Sequence, residues 1–357
     1  VKEARFTSIS EQVAEHLRSE LLRGRWEGLM PGMPQLSKEL QVNPKTVAVA
    51  LQQLEKMGLL RPQGPGRRRM IVPPEQSIEP RALRIAILTC DPSDLRLDYM
   101  VEVAHELAEA GHMVVVPPRC LTELGMDVLR VGRMLKAVEV DAWIVMGAPG
   151  MILECVADAG RPLFALFGRR RGLEIAGVGP NKPPVMAAIV RELVSLGHRR
   201  IVLLARPQRR LPEPGASERA FLDELSLHGI TPGSFHLPPW EESIEGFDAC
   251  LESLFRITPP TALILDEAAF FVAALLFLAR RGMRVPEDVS LVCTDADPAF
   301  AWCRPSVAHI RWSSRPVVRR IMSWVSAVSR GEVDKRQTLT AAEFVPGGTI
   351  GPAKEGN

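Results

Sequence analysis

Six cysteines are spread through 357 residues, at 90, 120, 155, 250, 293 and 303, with no CxxC pair and no cysteine–histidine ligand spacing. This spacing supports neither a zinc-binding frame nor a disulfide scaffold, and buried free thiols are expected. No apolar run approaches the roughly 18 residues of a membrane span. Val1-Lys2-Glu3-Ala4-Arg5 also lacks the apolar core of a secretion signal, so the expected compartment is the cytoplasm, away from membranes. Catalytic signatures are missing too. Gly64-Pro65-Gly66 lacks the Lys-Ser/Thr ending of a phosphate loop, neither GxSxG nor HExxH occurs, and the histidines at 16, 105, 112, 198, 228, 236 and 309 have no ligand spacing. No enzyme, metal or cofactor is expected.

What remains is a chain with 46% hydrophobic residues and a net charge of +2, the composition of a folded protein with more than one domain. Its charge is uneven. Residues 1–70 carry twelve Lys/Arg against seven Asp/Glu, a surplus of +5, leaving −3 for the remainder. This suits a nucleic-acid-facing end.

Ser8 or Ser10 can cap a first helix reaching about Arg23, with Ile9, Val13, Leu17, Leu21 and Leu22 as its apolar stripe and Gly24 as its stop. A second helix is expected near Gln35–Leu40, then a tight turn at Gln41-Val42. The run 42–54 reads as a third: Asn43 as N-cap, Pro44 at the first helical position, and Val47, Ala50, Leu51 and Leu54 at helical spacing. Two short helices around a tight turn form a helix-turn-helix. The glycine-rich, turn-rich stretch 61–72 then reads as a two-stranded wing, and the Pro/Glu-rich stretch after Val72 as a linker. The expected boundaries are 1–72 for a DNA-binding domain, 73–82 for the linker and 83–350 for a second domain.

From Leu83 onward, apolar strands alternate with amphipathic helices: Leu83–Thr89, a helix over Tyr99–Ala110, Met113–Val116, a helix over Val128–Val138, and Ala142–Met146. Further strands are expected at Leu163–Phe167, Ile175–Val178, Ile201–Ala205, Ala262–Leu265 and Ser290–Thr294. The pattern is that of α/β with parallel sheets, and its length favours two lobes.

Several motifs carry resemblances. Gly24-Arg25-Trp26, Met30-Pro31-Gly32, Leu36-Ser37-Lys38-Glu39-Leu40, Val42-Asn43-Pro44-Lys45-Thr46-Val47, Gly58-Leu59-Leu60 and Gly64-Pro65-Gly66 resemble, in order, the winged helix-turn-helix of the GntR family. Leu196-Gly197-His198-Arg199-Arg200-Ile201 and Gly282-Met283-Arg284-Val285-Pro286-Glu287-Asp288-Val289-Ser290-Leu291-Val292 resemble the effector-binding domain of LacI-type regulators, itself similar to periplasmic sugar-binding proteins. The combination implies a ligand-responsive transcription regulator, expected to be a repressor and a homodimer on double-stranded DNA. Pro34, Pro44 and Ala48 stand where GntR readers usually place arginines, so the family's base-reading pattern does not transfer.

The expected DNA-contacting residues are Lys38, Asn43, Lys45, Thr46 and Gln52 on the helix-turn-helix and Arg67, Arg68 and Arg69 on the wing. First-turn side chains and amides reach phosphates or base edges, and arginine suits a narrow minor groove. Effector candidates are expected at a cleft between lobes: Asp91, Ser93, Arg169, Glu267 and Asp295 after apolar strands, and Arg219 before an apolar helix. The LacI resemblance implies that Asp295 holds ligand hydroxyls and that Arg219 lies two residues from the family's ligand arginine. The usual Asn-Asp pair after Leu265 is replaced by Glu267-Ala268, with Asp266 before it. Either the ligand differs from a simple sugar, or this domain is a ligand-free dimerisation scaffold; a solute-binding protein is the more distant alternative. Trp302, Trp312 and Trp324 are each either ring-stacking or core residues.

Overall fold

In the computed structural model the described residues are 9–22, 25–26, 28–64, 67–72 and 81–354. The chain divides into two compact units, Val1–Pro80 and Arg81–Asn357. The expected linker therefore ends earlier: Arg81 belongs to the second unit, its N–H bonded to the Ser329 carbonyl at 3.1 Å. Residues 73–80 lie outside the described residues.

The first unit holds α1 (Ile9–Leu22), α2 (Met33–Leu40), α3 (Pro44–Lys56), β1 (Leu60–Arg61) and β2 (Met70–Ile71). Val13, Leu17 and Leu21, four apart, form the buried face of α1 together with Ala14. Two expectations for this helix change. Ser10 sits inside it, so it is no cap, and Ile9 is exposed; Ser8, Arg23 and Gly24 lie outside the described residues. Helix α2 begins two residues earlier than the pattern suggested, because Pro34 fits a first turn whose N–H groups need no partner. It ends where Gln41 turns left-handed at φ 51°, and the Ser37 hydroxyl donates to the Val42 carbonyl at 2.6 Å to hold the turn.

Helix α3 forms as its sequence dictates. The Asn43 carboxamide oxygen accepts the Lys45 N–H at 2.9 Å, Pro44 opens the helix, and Val47, Ala50, Leu51 and Leu54 are its buried residues. They close the core over Leu17, Met30 and Leu36. Each such leucine contributes about 1.5–3 kcal/mol by leaving water. Strands β1 and β2 pair antiparallel, Leu60 opposite Ile71, as the expected hairpin.

The second unit has two lobes. The first is a six-stranded parallel sheet in the order β12-β7-β6-β5-β3-β4, comprising β3 (Arg84–Leu88), β4 (Met113–Val115), β5 (Ala142–Met146), β6 (Leu163–Leu166), β7 (Ala176–Pro180) and β12 (Gln337–Thr340). Around it lie α4 (Asp98–Glu109), α5 (Val128–Ala137), α6 (Gly150–Asp158) and α12 (Ser314–Ser329). Successive strand residues pack on opposite faces: Ile85, Ile87 and Ile144 join α4 and α12, whereas Ala86, Leu88 and Val145 join α5 and α6.

The second lobe is a five-stranded sheet in the order β13-β11-β10-β9-β8, with β8 (Ile201–Leu204), β9 (Ala262–Leu265), β10 (Ser290–Cys293), β11 (Ala308–Trp312) and β13 (Ala342–Val345). It carries α7 (Pro183–Ser195), α8 (Pro207–Arg210), α9 (Ala216–Leu227), α10 (Ile244–Ile257) and α11 (Ala268–Arg280). This sheet is parallel except at its edge, where β13 runs antiparallel to β11. The chain crosses between lobes three times, after β7, β11 and β12, so each lobe is assembled from separate stretches of sequence.

His198 is structural, as its Gly-His turn suggested, with Nε2 at 3.0 Å from the Gly351 carbonyl and 3.1 Å from the Ser290 hydroxyl. All six cysteines are free, but only Cys120 and Cys293 are buried; the other four are half-buried. Among the described residues no helix is long and apolar enough to cross a membrane.

Candidate functional site

Between the lobes runs a cleft of about 2240 Å³, bordered by the C-terminal ends of strands from both sheets. That exceeds the roughly 300–1,000 Å³ of an ordinary small-molecule site. All six effector candidates, Asp91, Ser93, Arg169, Arg219, Glu267 and Asp295, line it. Five of them follow strands β3, β6, β9 and β10, whereas Arg219 lies in α9. Their individual settings differ from a simple set of ligand-facing groups.

Asp295 follows β10 and accepts the Trp312 indole N–H at 2.9 Å, with Lys182 Nζ at 3.8 Å from its other oxygen. Trp312 meets Tyr99 and Phe167 edge-on, at centroid distances of 5.5 and 5.4 Å, so three aromatic rings form one wall beside this carboxylate. The three tryptophans divide accordingly: Trp312 is at the cleft, Trp324 is core against Phe164, and Trp302 is exposed.

Deeper in, one arginine organises the acids. Arg206, just after β8, reaches Asp91 of the first lobe at 2.9 Å, Glu267 of the second at 2.7 Å, and Glu242, while its guanidinium lies 5.1 Å from the Phe270 ring centre. Burial alone would lower its pKa; the carboxylates outweigh burial, so the net shift is upward and the charge is fixed. Burial nevertheless raises Glu267, even beside Arg206. Asp91 and Glu267, expected to face a ligand, are therefore engaged by the protein's own cation. Next to them Arg209 Nε stands 2.8 Å from the buried Asp266, which also takes a 3.3 Å bond from the Thr294 hydroxyl.

Arg169 donates to the carbonyls of Arg209 at 2.7 Å, Leu211 at 2.8 Å and Glu213, a second tie between the lobes. Arg219 is held by the Pro214 carbonyl at 2.6 Å and by Glu213 at 3.3 Å. Ser93 is exposed on the rim. Arg206 and Arg209 went unnoticed in the sequence. Arg206 follows the apolar run Ile201–Ala205 and so obeys the rule that marked Asp91.

In the N-terminal unit, Lys45, Val49 and Gln52 lie on the exposed side of α3, opposite the buried stripe, with Thr46 half-buried beside them. Lys38 is exposed on α2, and Arg67 and Arg68 are exposed before β2. Asn43 spends its side-chain oxygen on the cap. Arg69 departs from the expectation: half-buried, it forms an ion pair with Glu55 of α3, so it fastens the hairpin to that helix instead of projecting outward.

Residues 190–350 match the family described as a periplasmic binding protein-like domain. An uncharacterised HTH-type transcriptional regulator in the aml 5′ region of Streptomyces limosus is 28% identical over 193 residues, 53% of this chain and 53% of the relative. The chain thus spans about half the length of this curated relative. A LacI family transcriptional regulator from Enterococcus faecium, solved with bound ribose, superposes with a TM-score of 0.61 at 16% identity, covering 76% of this chain and 100% of that one. The structure of a transcriptional regulator CelR–cellobiose complex gives 0.61 at 18% identity, covering 87% and 92%. At these identities the likeness establishes architecture. The second unit has the two-lobed, periplasmic-binding-protein-like α/β fold of LacI-family structures.

Proposed function

We propose that the chain is a sequence-specific DNA-binding transcriptional regulator, a repressor acting as a homodimer in the cytoplasm, whose second unit takes a small polar molecule between its lobes. The observation that carries this reading is the division of α3: one face closes the core, and the other presents Lys45, Val49 and Gln52 to solvent. A first-turn lysine suits a phosphate, an exposed valine a thymine methyl, and a glutamine an adenine edge. The β1–β2 hairpin supplies Arg67 and Arg68 as the wing of a GntR-like reader. Lys38 and the half-buried Thr46 complete the interface, and Asn43 holds the N-terminus of α3 in shape. A homodimer places two such helices on two half-sites.

Coupling is a linkage effect. A molecule that binds one arrangement of the lobes better than another shifts the population of arrangements, and with it the affinity for DNA. The relatives support this reading, since they are named as transcriptional regulators and two solved ones hold ribose or cellobiose. The test is selection from random duplex DNA with the full chain. A recurrent two-half-site sequence, lost in the Lys45→Ala, Thr46→Ala double variant at unchanged thermal stability, is the expected result; retention of the preference in that variant removes α3 as the reader.

A second reading, the ligand-free dimerisation scaffold, draws support from Arg169 and Arg206, whose bonds to the other lobe join the two through the protein's own groups. Saturable stabilisation by any member of a metabolite panel rules it out.

A further inference from the structure

The cleft contains two kinds of guanidinium. Arg206 and Arg209 face carboxylates directly. Arg169, Arg170 and Arg171, consecutive after β6, line the cleft without an ion pair among the described residues.

Among the described residues Arg169 bonds only to backbone carbonyls, and its buried Nε has no partner there. Arg170 lies across β7, where a Cβ at Gly177 would stand 2.7 Å from its Cδ and one at Gly179 would stand 3.2 Å from its Nη1. These two glycines make the seat that sets the guanidinium against the cleft wall. Its hydrogen bonds there, to the Phe167 and Thr338 carbonyls, are both 3.3 Å long. Burial lowers the pKa of both arginines; Glu218 and Glu213 act on Arg169 only at longer range, and no carboxylate offsets the burial of Arg170. Arg171 is exposed.

A half-buried guanidinium with only neutral acceptors keeps an uncompensated charge, which is costly unless an anion arrives. The planar fork of arginine matches phosphate and carboxylate, and charge-assisted bonds outcompete those to neutral carbonyls. We propose that Arg169, Arg170 and Arg171 form an anion-binding wall, and that the molecule taken by the cleft carries a phosphate or carboxylate group as well as hydroxyls. This rests on the reading of the cleft as a ligand site. The nearby Phe167, in contact with Tyr99 and Trp312, offers apolar surface for the body of such a molecule, with Asp295 beyond it for hydroxyls.

The test begins with inorganic phosphate titrated into the full chain by calorimetry at constant ionic strength. Saturable binding is expected on the order of millimolar. Arg170→Gln should weaken it about tenfold or more and Arg171→Gln severalfold, since each removes a charged donor. Arg256→Gln, exposed and outside the cleft, serves as the control. Arg171 makes no side-chain hydrogen bond among the described residues, so its variant remains informative if Arg170→Gln fails to fold. Matched sets then separate the sources: glucose with glucose 6-phosphate and glucuronate, and ribose with ribose 5-phosphate, followed by thermal shift. Phosphate binding that is equal in wild type and both cleft variants overturns the proposal. Stabilisation by a neutral sugar but by neither of its acidic forms overturns it while leaving the cleft as a ligand site. Silence from phosphate and from every sugar overturns both.

Discussion

The cations on the proposed DNA-facing surface and those within the second unit's carboxylate clusters are disposed oppositely. In the N-terminal unit Lys38, Lys45, Arg67 and Arg68 are exposed and have no carboxylate partner among the described residues. In the second unit Arg206, Arg209 and Arg320 turn inward onto Asp91, Glu242, Glu267, Asp266 and Asp334. An exposed cation contributes little to folding and keeps its charge for a partner. An inward one is part of the fold, because its removal strands the carboxylates it neutralised. The contrast separates two uses of the same residue type, and substitutions can break or sharpen it.

The largest effect belongs to Arg206→Met. It leaves Asp91, Glu242 and Glu267 facing each other with no cation between them, and should cost about 3–5 kcal/mol in urea unfolding of the second unit. Glu267→Gln in that background should recover part of the loss, since it removes one stranded charge. A cost below about 1 kcal/mol would show that the network is ornamental to stability and that the inward half of the contrast is wrong.

Next comes Asn43→Ala, which deletes the α3 cap but no charge. About 1 kcal/mol of stability should be lost from the N-terminal unit, and Asn43→Ser should restore most of it by accepting the same amide. An equal loss in both variants would point to something other than capping.

A smaller effect concerns pH. Burial raises the pKa of Glu218, a cleft carboxyl, above its ordinary 4.5, despite Arg209 and Arg169 nearby. The sign follows from linkage: the folded state holds the proton more tightly, so this group's contribution is fully present below its unfolded pKa and is lost as pH rises through the folded one. Glu218→Gln should therefore gain stability relative to wild type as pH goes from 4.5 toward 7. A difference between the two melting curves that stays flat over that range would remove the cleft's burial of Glu218 as a cost.

The same contrast governs how much was legible beforehand. Capping and amphipathic spacing are local, so Asn43, Pro44 and the stripe Val47, Ala50, Leu51 and Leu54 could be read directly. Strand β12 could not. Gln337-Thr338-Leu339-Thr340 is a short, half-polar edge segment with Leu339 exposed, and its partner β7 lies far earlier in the chain. Asp91 and Asp295 were visible as polar residues following apolar strands, which fixes a place at the cleft but not a partner. That Asp91 meets Arg206 across the lobes is a property of tertiary packing alone. Likewise nothing in Arg67-Arg68-Arg69 distinguishes the third arginine, whose fate is set by Glu55, the next-to-last residue of α3.

That tripeptide supplies the smallest expected change in stability and the sharpest comparison. Arg67→Ala with Arg68→Ala removes two exposed charges, so thermal stability should stay within about 0.5 kcal/mol of wild type. If the hairpin meets DNA as proposed, the slope of log affinity against log salt should flatten by roughly 1.8, about 0.9 for each phosphate no longer neutralised. Arg69→Ala should do the reverse: lose about 0.2–1 kcal/mol by breaking the pair with Glu55, and leave the slope near that of wild type, because that charge is already matched within the protein. Identical slopes in all three proteins would place the hairpin away from the phosphates. A slope that flattens with Arg69→Ala alone would mean the Glu55 pair opens on DNA, and the division between outward and inward arginines would fail where it is drawn most finely.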